Sequence, residues 1–324
     1  MYTQSLLKDI VDRALANLSY YDGAGRLADP VKYILSAGGK RLRPVMALMA
    51  CNLFSDRVDD ALLPAAGLEV FHNFTLVHDD IMDNSPVRRG FPTVHRKWNV
   101  NQAILSGDVM AFIANECILK TPENHLLKTF TAFNRAAIEV CVGQQLDMDF
   151  ESVPVVTPAE YTRMIELKTA SLIAASLQIG AIIGGADEKN TNLLREFGKN
   201  LGLAFQVQDD LLDIWGDSGT FGKRTGGDIV TNKKTYPYVK ALETAPPKLN
   251  KQLHDLFSRD DIDPGIKISK VIDIYNRLSV REETEDLANG YINRAFELLG
   301  DVGVDASVKK ELANLASSLI GRDR

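Results

Sequence analysis

Four Asp-Asp pairs occur in this chain, at 59–60, 79–80, 209–210 and 260–261. The residue four positions beyond the first aspartate separates them. It is Leu63 after Asp59 and Pro264 after Asp260, but Asp83 after Asp79 and Asp213 after Asp209. Two pairs thus extend to D-D-x-x-D. On a helix, residues i and i+4 share a face one turn apart, so each triplet projects two carboxylates side by side with a third flanking. Both triplets lie in apolar runs, FTLVHDDIMD and LAFQVQDDLLDIW. Carboxylates gathered in a low-dielectric setting repel one another and resist desolvation. A cation must offset that, and magnesium fits, because it takes oxygen ligands and is shared between carboxylates and substrate phosphates. The candidate metal residues are Asp79, Asp80, Asp83, Asp209, Asp210 and Asp213.

Basic groups accompany the acids. Gly38-Gly39-Lys40-Arg41-Leu42-Arg43-Pro44 reads as a glycine turn leading into a basic helix start. Backbone N–H groups there, with Lys40 and Arg43 three apart, would make an anion site. Arg88 and Arg89 follow the first triplet by one short loop. Lys168-Thr169 sits within a long apolar helix, and Lys223, Lys233 and Lys234 follow the second triplet. His72 precedes Asp79 by seven residues and so lies within about 20° of the same helical face. His78 points elsewhere and is read as a packing or supporting group. His95, His125 and His254 have no acidic or cysteine partner at metal spacing. The sequence has no G-x-S-x-G, paired Cys/His or P-loop. The implied chemistry is therefore electrostatic: metal ions and lysines would hold a diphosphate and stabilise its departure.

The elements that must position these groups are helical. Residues 4–18 place Leu6, Leu7, Ile10, Val11, Ala14 and Leu15 on one stripe. Residues 61–83, 100–119, 158–184 and 190–215 are apolar around much of their circumference, as central helices of a large bundle are. Thr157-Pro158-Ala159-Glu160 supplies an N-cap, a proline at N1 and a glutamate at N3. Loops are expected at 84–94, 150–157 and 216–233, and no alternating run reads as a strand. The 324 residues carry no linker or composition shift, so a single all-α domain over 1–324 is expected. With 45% hydrophobic and 25% charged residues, a disordered or fibrous chain is excluded. A net charge of −6 argues against nucleic acid as a partner. The amino-terminal segment reads as a helix and not a signal peptide, and no uninterrupted apolar stretch of membrane-spanning length is found. Cys51, Cys117 and Cys141 sit in apolar runs without metal spacing; buried free thiols and a cytoplasmic setting are expected.

The ordered motifs resemble those of the trans-isoprenyl diphosphate synthases, the polyprenyl synthetase family. They are GGKRLRP at 38–44, HDDIMD at 78–83 with RRG at 88–90, GQQLD at 143–147, KT at 168–169, FQVQDDLLD at 205–213 and GKRTGGDIVTNKKTYP at 222–237. The resemblance implies an all-α bundle of the isoprenoid synthase type around a deep apolar cavity, assembled as a homodimer. It implies magnesium-dependent, head-to-tail condensation of isopentenyl diphosphate with an allylic diphosphate, with about three Mg2+ per site. Asp79, Asp83 and Asp209 would then be direct ligands, supported by Asp80, Asp210 and Asp213. Arg88, Lys168 and Lys233, helped by Lys223, would hold the allylic diphosphate; Lys40, Arg43, His72 and Arg89 would hold isopentenyl diphosphate. Thr169 and Gln206 would face the allylic cation, and Gln144 and Asp147 would support from behind.

Product length is implied by the residues before the first triplet. The two-residue insertion seen in many bacterial farnesyl synthases is missing. In similar enzymes the positions of Phe74 and Thr75 form the floor under the growing chain. Phe74 lies about 7.5 Å below Asp79 along a helix axis, and Phe71 a further turn down. Helical angles favour Thr75 over Phe74 as the inward residue, so the geometry leaves both open. The pattern looks like that of short-chain geranylgeranyl synthases, which makes C20 the expected product, with C15 next and longer chains third. A terpene cyclase would share the acidic triplets but has no second diphosphate for GGKRLRP to hold. A non-catalytic partner subunit would lack a triplet or the basic groups.

Overall fold

Helical periodicity is realised along almost the whole chain. The computed structural model describes residues 2–18, 25–216, 225–259 and 261–321, and among these one two-stranded hairpin is the only sheet. Contacts divide the chain into two compact units.

The first unit comprises Met1–Ala137, Leu172–Arg195 and Asp301–Leu315. It opens with α1 (Gln4–Ala16), where Thr3 caps the amino terminus and Leu7, Val11 and Leu15 form the buried stripe at four-residue spacing. Next come α2 (Ala28–Ser36) and α3 (Leu42–Asn52), the latter buried around its circumference from Pro44 to Asn52. The 24-residue α4 (Asp59–Met82) starts with Asp59 and Asp60 against its positive end and finishes at the first triplet. A hairpin of β1 (Val87–Arg88) and β2 (Phe91–Pro92) follows, then α5 (Val94–Lys97) and α6 (Val100–Ile118), which Asn99 caps.

The second unit comprises Ile138–Ser171, Glu196–Gly300 and Ala316–Arg324. It holds the carboxyl-terminal part of α7 (Glu123–Ser152) and α8 (Pro158–Ile165), which begins with the expected capping box: Thr157 and Glu160 each bond the other's backbone N–H. Most of α10 (Glu188–Trp215) lies here, with α11 (Gly227–Val230), α12 (Tyr236–Thr244), α13 (Pro247–Phe257), α14 (Pro264–Arg277) and α15 (Val280–Asp301). Its core gathers Tyr238, Leu253, Val271 and Tyr275 around Val207 of α10.

Several expectations need correction. Residues 158–184 do not form one regular helix. A π-helical turn, Glu166–Ala170, stands between α8 and α9 (Ser171–Gly184), and it carries Lys168 and Thr169. Such turns insert an extra residue and re-aim the side chains around it. The expected loop at 150–157 is shorter, because α7 runs to Ser152. The hairpin escaped the sequence reading because each strand has only two residues; its turn, Arg89-Gly90, has φ of 53° and 81°, the double positive φ of a tight hairpin. Cys141 is exposed, while Cys51 and Cys117 are buried; it shares the outward face of α7 with Ile138 and Val142. Finally, Pro158–Gly184 is long and apolar enough to cross a membrane by composition, yet 78% of its apolar window is buried inside the protein, as a core helix would be.

Candidate active site

The first triplet occupies the last turn of α4. Asp79 is half-buried, Asp80 fully buried, and Asp83 exposed as the capping residue, its N–H bonded to Asp79 O at 2.8 Å. The hairpin returns Arg88 onto the pair: Nε donates to Asp80 Oδ1 at 2.8 Å, and the guanidinium also reaches Asp79 Oδ2 at 3.4 Å. Burial pushes the Asp80 carboxyl up, against the opposing pull of Arg88. Asp80 Oδ2 is buried with no hydrogen-bond partner.

The GGKRLRP turn lies in the same unit. Arg41 adopts φ of 50° at the start of α3 and is buried. Its guanidinium pairs with Asp12 at 2.8 Å and Glu69 at 2.9 Å and donates to Leu35 O, so it locks the turn. Lys40 is exposed. Arg89 donates to Gly38 O and to Asn73 Oδ1, and Asn73 in turn donates to Glu69. Arg43 has a buried Nε without an acceptor, and its pKa is lowered to about 10 by burial first and the Arg89 charge after it, with Glu69 opposing. Burial, then Arg43 and Arg89, hold the His72 imidazole well below its usual range. Guanidinium groups gathered around an imidazole, with the buried Arg43 Nε unsatisfied, are an arrangement that an anion completes. Of the four residues expected to hold isopentenyl diphosphate, Arg43, His72 and Arg89 lie close enough to influence one another electrostatically, and Lys40 is exposed.

The second triplet lies near the end of α10. Asp210 is buried and fully bonded. Tyr161 OH and Tyr236 N–H both donate to Oδ2, the latter at 3.0 Å, and Gln206 Nε2 donates to Oδ1 at 3.3 Å. Thr169 OH donates to Gln206 Oε1 at 3.0 Å, which joins the π turn to the triplet. Asp213 Oδ2 accepts the backbone N–H of Asp228 at 3.0 Å and so anchors α11. Lys168 pairs with Asp147. Gln144 is half-buried on α7, one residue past Gly143. Lys234 donates to Phe150 O and Val153 O, while the adjacent Lys233 is exposed. Lys223 lies outside the described residues.

Both triplets share one division of labour: the second aspartate is buried and fixed, while the first stays partly accessible. Among the described residues no group of three or more His, Cys, Asp or Glu forms a ready-made metal cage. Magnesium needs none, since it is bound through one or two carboxylates together with phosphate oxygens and water. The donor set fits that ion, and the orphaned Asp80 Oδ2 is an acceptor a cation would satisfy. The sequence reading missed Tyr161, Tyr236, Asp228, Glu69, Asn73 and the locking role of Arg41. Only Glu69 offered a signal, as a lone acid inside an apolar stretch.

Asp210 yields a pH prediction. Burial raises its pKa from 3.8 to about 7, although its hydrogen bonds pull the other way. A carboxyl whose folded pKa exceeds its unfolded value adds stability below the unfolded pKa, and that contribution is lost as pH rises through the folded value. The metal-free protein should therefore lose thermal stability between about pH 4 and 7 relative to Asp210→Asn. Paired melting curves across that range check this; parallel curves would contradict it.

On chain length, Phe71 and Phe74 stack edge-on at 5.3 Å between ring centroids, and Phe71 meets Phe133 at 5.4 Å. Thr75 turns its hydroxyl back to His72 O at 2.8 Å, on the Asp79 face of α4.

The comparisons agree with one another. The polyprenyl synthetase family profile matches residues 25–275. A geranylgeranyl diphosphate synthase of Methanosarcina mazei is 36% identical over 97% of this chain and 95% of its own. A geranylfarnesyl diphosphate synthase of Natronomonas pharaonis is 39% identical over 70% of this chain and 72% of its own. A crystal structure of a geranylgeranyl pyrophosphate synthase superposes with a TM-score of 0.94 at 40% identity, covering all of both chains. With its two acidic triplets, its basic turn and this breadth of likeness, the chain belongs to the polyprenyl synthetase family.

Proposed function

We propose that this chain is a prenyltransferase that condenses isopentenyl diphosphate head-to-tail with dimethylallyl, geranyl and farnesyl diphosphates and releases geranylgeranyl diphosphate (C20). One observation carries the reading. Two helix-borne aspartate triplets, each with a fixed second carboxylate, coexist with a separate basic group of Arg43, Arg89 and His72. The triplets suit a metal-held diphosphate, and the cluster suits a second diphosphate held by the protein alone. A terpene cyclase has no use for that second site.

Asp79, Asp83 and Asp209 would hold Mg2+, about three ions per site, with Asp80, Asp210 and Asp213 keeping them in place. Bound magnesium supplies the positive charge that stabilises the departing diphosphate. Arg88, Lys168 and Lys233, with Lys223, add to that charge. Thr169 and Gln206, already bonded to one another, orient toward the allylic carbon. Gln144 and Asp147 position Lys168. The isopentenyl double bond attacks the allylic cation, and the proton then lost passes to the departing diphosphate. Phe74, backed by Phe71 and flanked by Thr75, would stop the chain. Similar proteins are named for geranylgeranyl (C20) and for geranylfarnesyl (C25) diphosphate, so product length is the part of this reading that the product assay must decide.

A soluble, cytoplasmic homodimer completes the proposal. On α6 and at its carboxyl-terminal cap, Leu105, Phe112 and Leu119 are 58%, 70% and 52% exposed. Their seven-residue spacing makes one apolar seam, the pattern by which a helix meets a second copy. Sedimentation should show a dimer, and Phe112→Asp should dissociate it; a monomeric wild type contradicts this.

The deciding experiment incubates purified protein with magnesium, labelled isopentenyl diphosphate and, separately, the C5, C10 and C15 allylic diphosphates, then resolves product lengths. A discrete C20 product supports the proposal. A C15 or C25 product moves the floor. No product from any primer, despite diphosphate binding, would point to a cyclase or an inactive partner subunit.

A further inference from the structure

We infer that His78 is a positioning residue for product length: seated on α6 by Gly107, it braces the ring of Phe74. The inference rests on the proposal that Phe74 forms the floor. On α4, Phe71, Phe74 and His78 are spaced i, i+3 and i+7 and so form one stripe. Their rings meet in series. Phe71 and Phe74 are 5.3 Å apart at 61°, and Phe74 and His78 are 4.9 Å apart at 71°. Phe133 closes the far end behind Phe71. Phe74 is thus gripped from both directions along the helix axis, and His78 is the grip on the triplet side.

α6 fixes the imidazole. His78 Nε2 lies 3.1 Å from Ile104 O, so this nitrogen carries the proton and donates to the carbonyl. Asp108, the acid facing it, is 3.9 Å away. A Cβ built at Gly107 would fall 2.2 Å from His78 Nε2 and 2.5 Å from Cδ2. Glycine inside a helix is unfavourable relative to alanine, and here its lack of a side chain is the space the imidazole occupies. Removing or displacing His78 frees the turn above Phe74, and the phenyl ring gains a rotamer that withdraws it from the floor. The chain can then grow further before it meets a barrier.

The test compares product lengths for wild type, Phe74→Ala, His78→Ala, Gly107→Ala and the Gly107→Ala/His78→Ala double variant, each checked for folding by its melting transition. His78→Ala and Gly107→Ala should each move the main product up by at least one five-carbon unit. The double variant should match His78→Ala alone, because the added methyl then enters vacated space; residues in contact are non-additive in this way. Gly107→Ala reads the same displacement if His78→Ala does not fold. A longer product from Phe74→Ala, with wild-type length from both His78→Ala and Gly107→Ala, overturns the bracing role and leaves the floor intact. Unchanged length in all variants overturns both. A double variant that exceeds either single variant would show independent action and also defeat the inference.

Discussion

Replacing Asp79 or Asp209 by alanine is expected to lower turnover by about 10²–10³-fold or more, the scale on which a charge-stabilising group acts in a transition state. The fold should survive both changes. Asp79 is partly exposed, and its partner Arg88 keeps a 2.7 Å contact to Asp80 when Asp79 is lost. Removing one of three neighbouring carboxylates also relieves repulsion in the protein without metal. Asp210→Ala should behave differently. It strands Tyr161 OH and Tyr236 N–H in a buried setting, and an unsatisfied buried donor costs about 1–3 kcal/mol. Melting temperature therefore distinguishes a metal-holding aspartate from a supporting one. A second readout is ligand linkage. Magnesium with pyrophosphate should raise the melting temperature of wild type and fail to do so for Asp79→Ala and Asp209→Ala. Undiminished turnover in both variants would remove the metal assignment.

What the sequence could disclose was set by the range of each interaction. The triplets were legible because i and i+4 on a helix meet whatever the helix packs against, and the capping box at 157–160 was legible for the same local reason. The π turn was not. Glu166-Leu167-Lys168-Thr169-Ala170 contains ordinary helix formers, and nothing local marks the extra residue. Tyr161 and Tyr236 were invisible as partners of Asp210 because a tyrosine in an apolar stretch reads as core until its hydroxyl is traced. The locking role of Arg41 was hidden in the same way. It stands in a basic motif beside Lys40 and Arg43, yet its charge is spent on Asp12 and Glu69. The backbone at that residue is left-handed, which no local pattern in the sequence marks. Cys141 misled because an apolar run on a helix was equated with burial, while α7 carries Ile138 and Val142 outward with it.

Gly143→Ala should be as damaging as loss of a charged residue, although it only adds a methyl group. A Cβ at this position would fall 2.3 Å from Lys168 N, 2.7 Å from its Cα and 2.8 Å from Leu167 C. All three are backbone atoms, so no rotamer change can clear them. The helix α7 and the π turn must move apart, and overpacking of this kind costs about 1–3 kcal/mol. The catalytic loss follows from where the strain falls. Asp147, one turn beyond Gly143 on α7, pairs with the Lys168 ammonium across the same crossing, and the next residue, Thr169, holds Gln206. A shift of about 1 Å in positioned groups can cost about 10²-fold in rate, so turnover should fall by that order. Lys168→Ala is the matched control. It deletes the ammonium without touching the backbone contact, so it should lose turnover while keeping its melting temperature. Gly143→Ala should lose both, and loss of neither would mean that the close approach of these two backbones does not position the lysine.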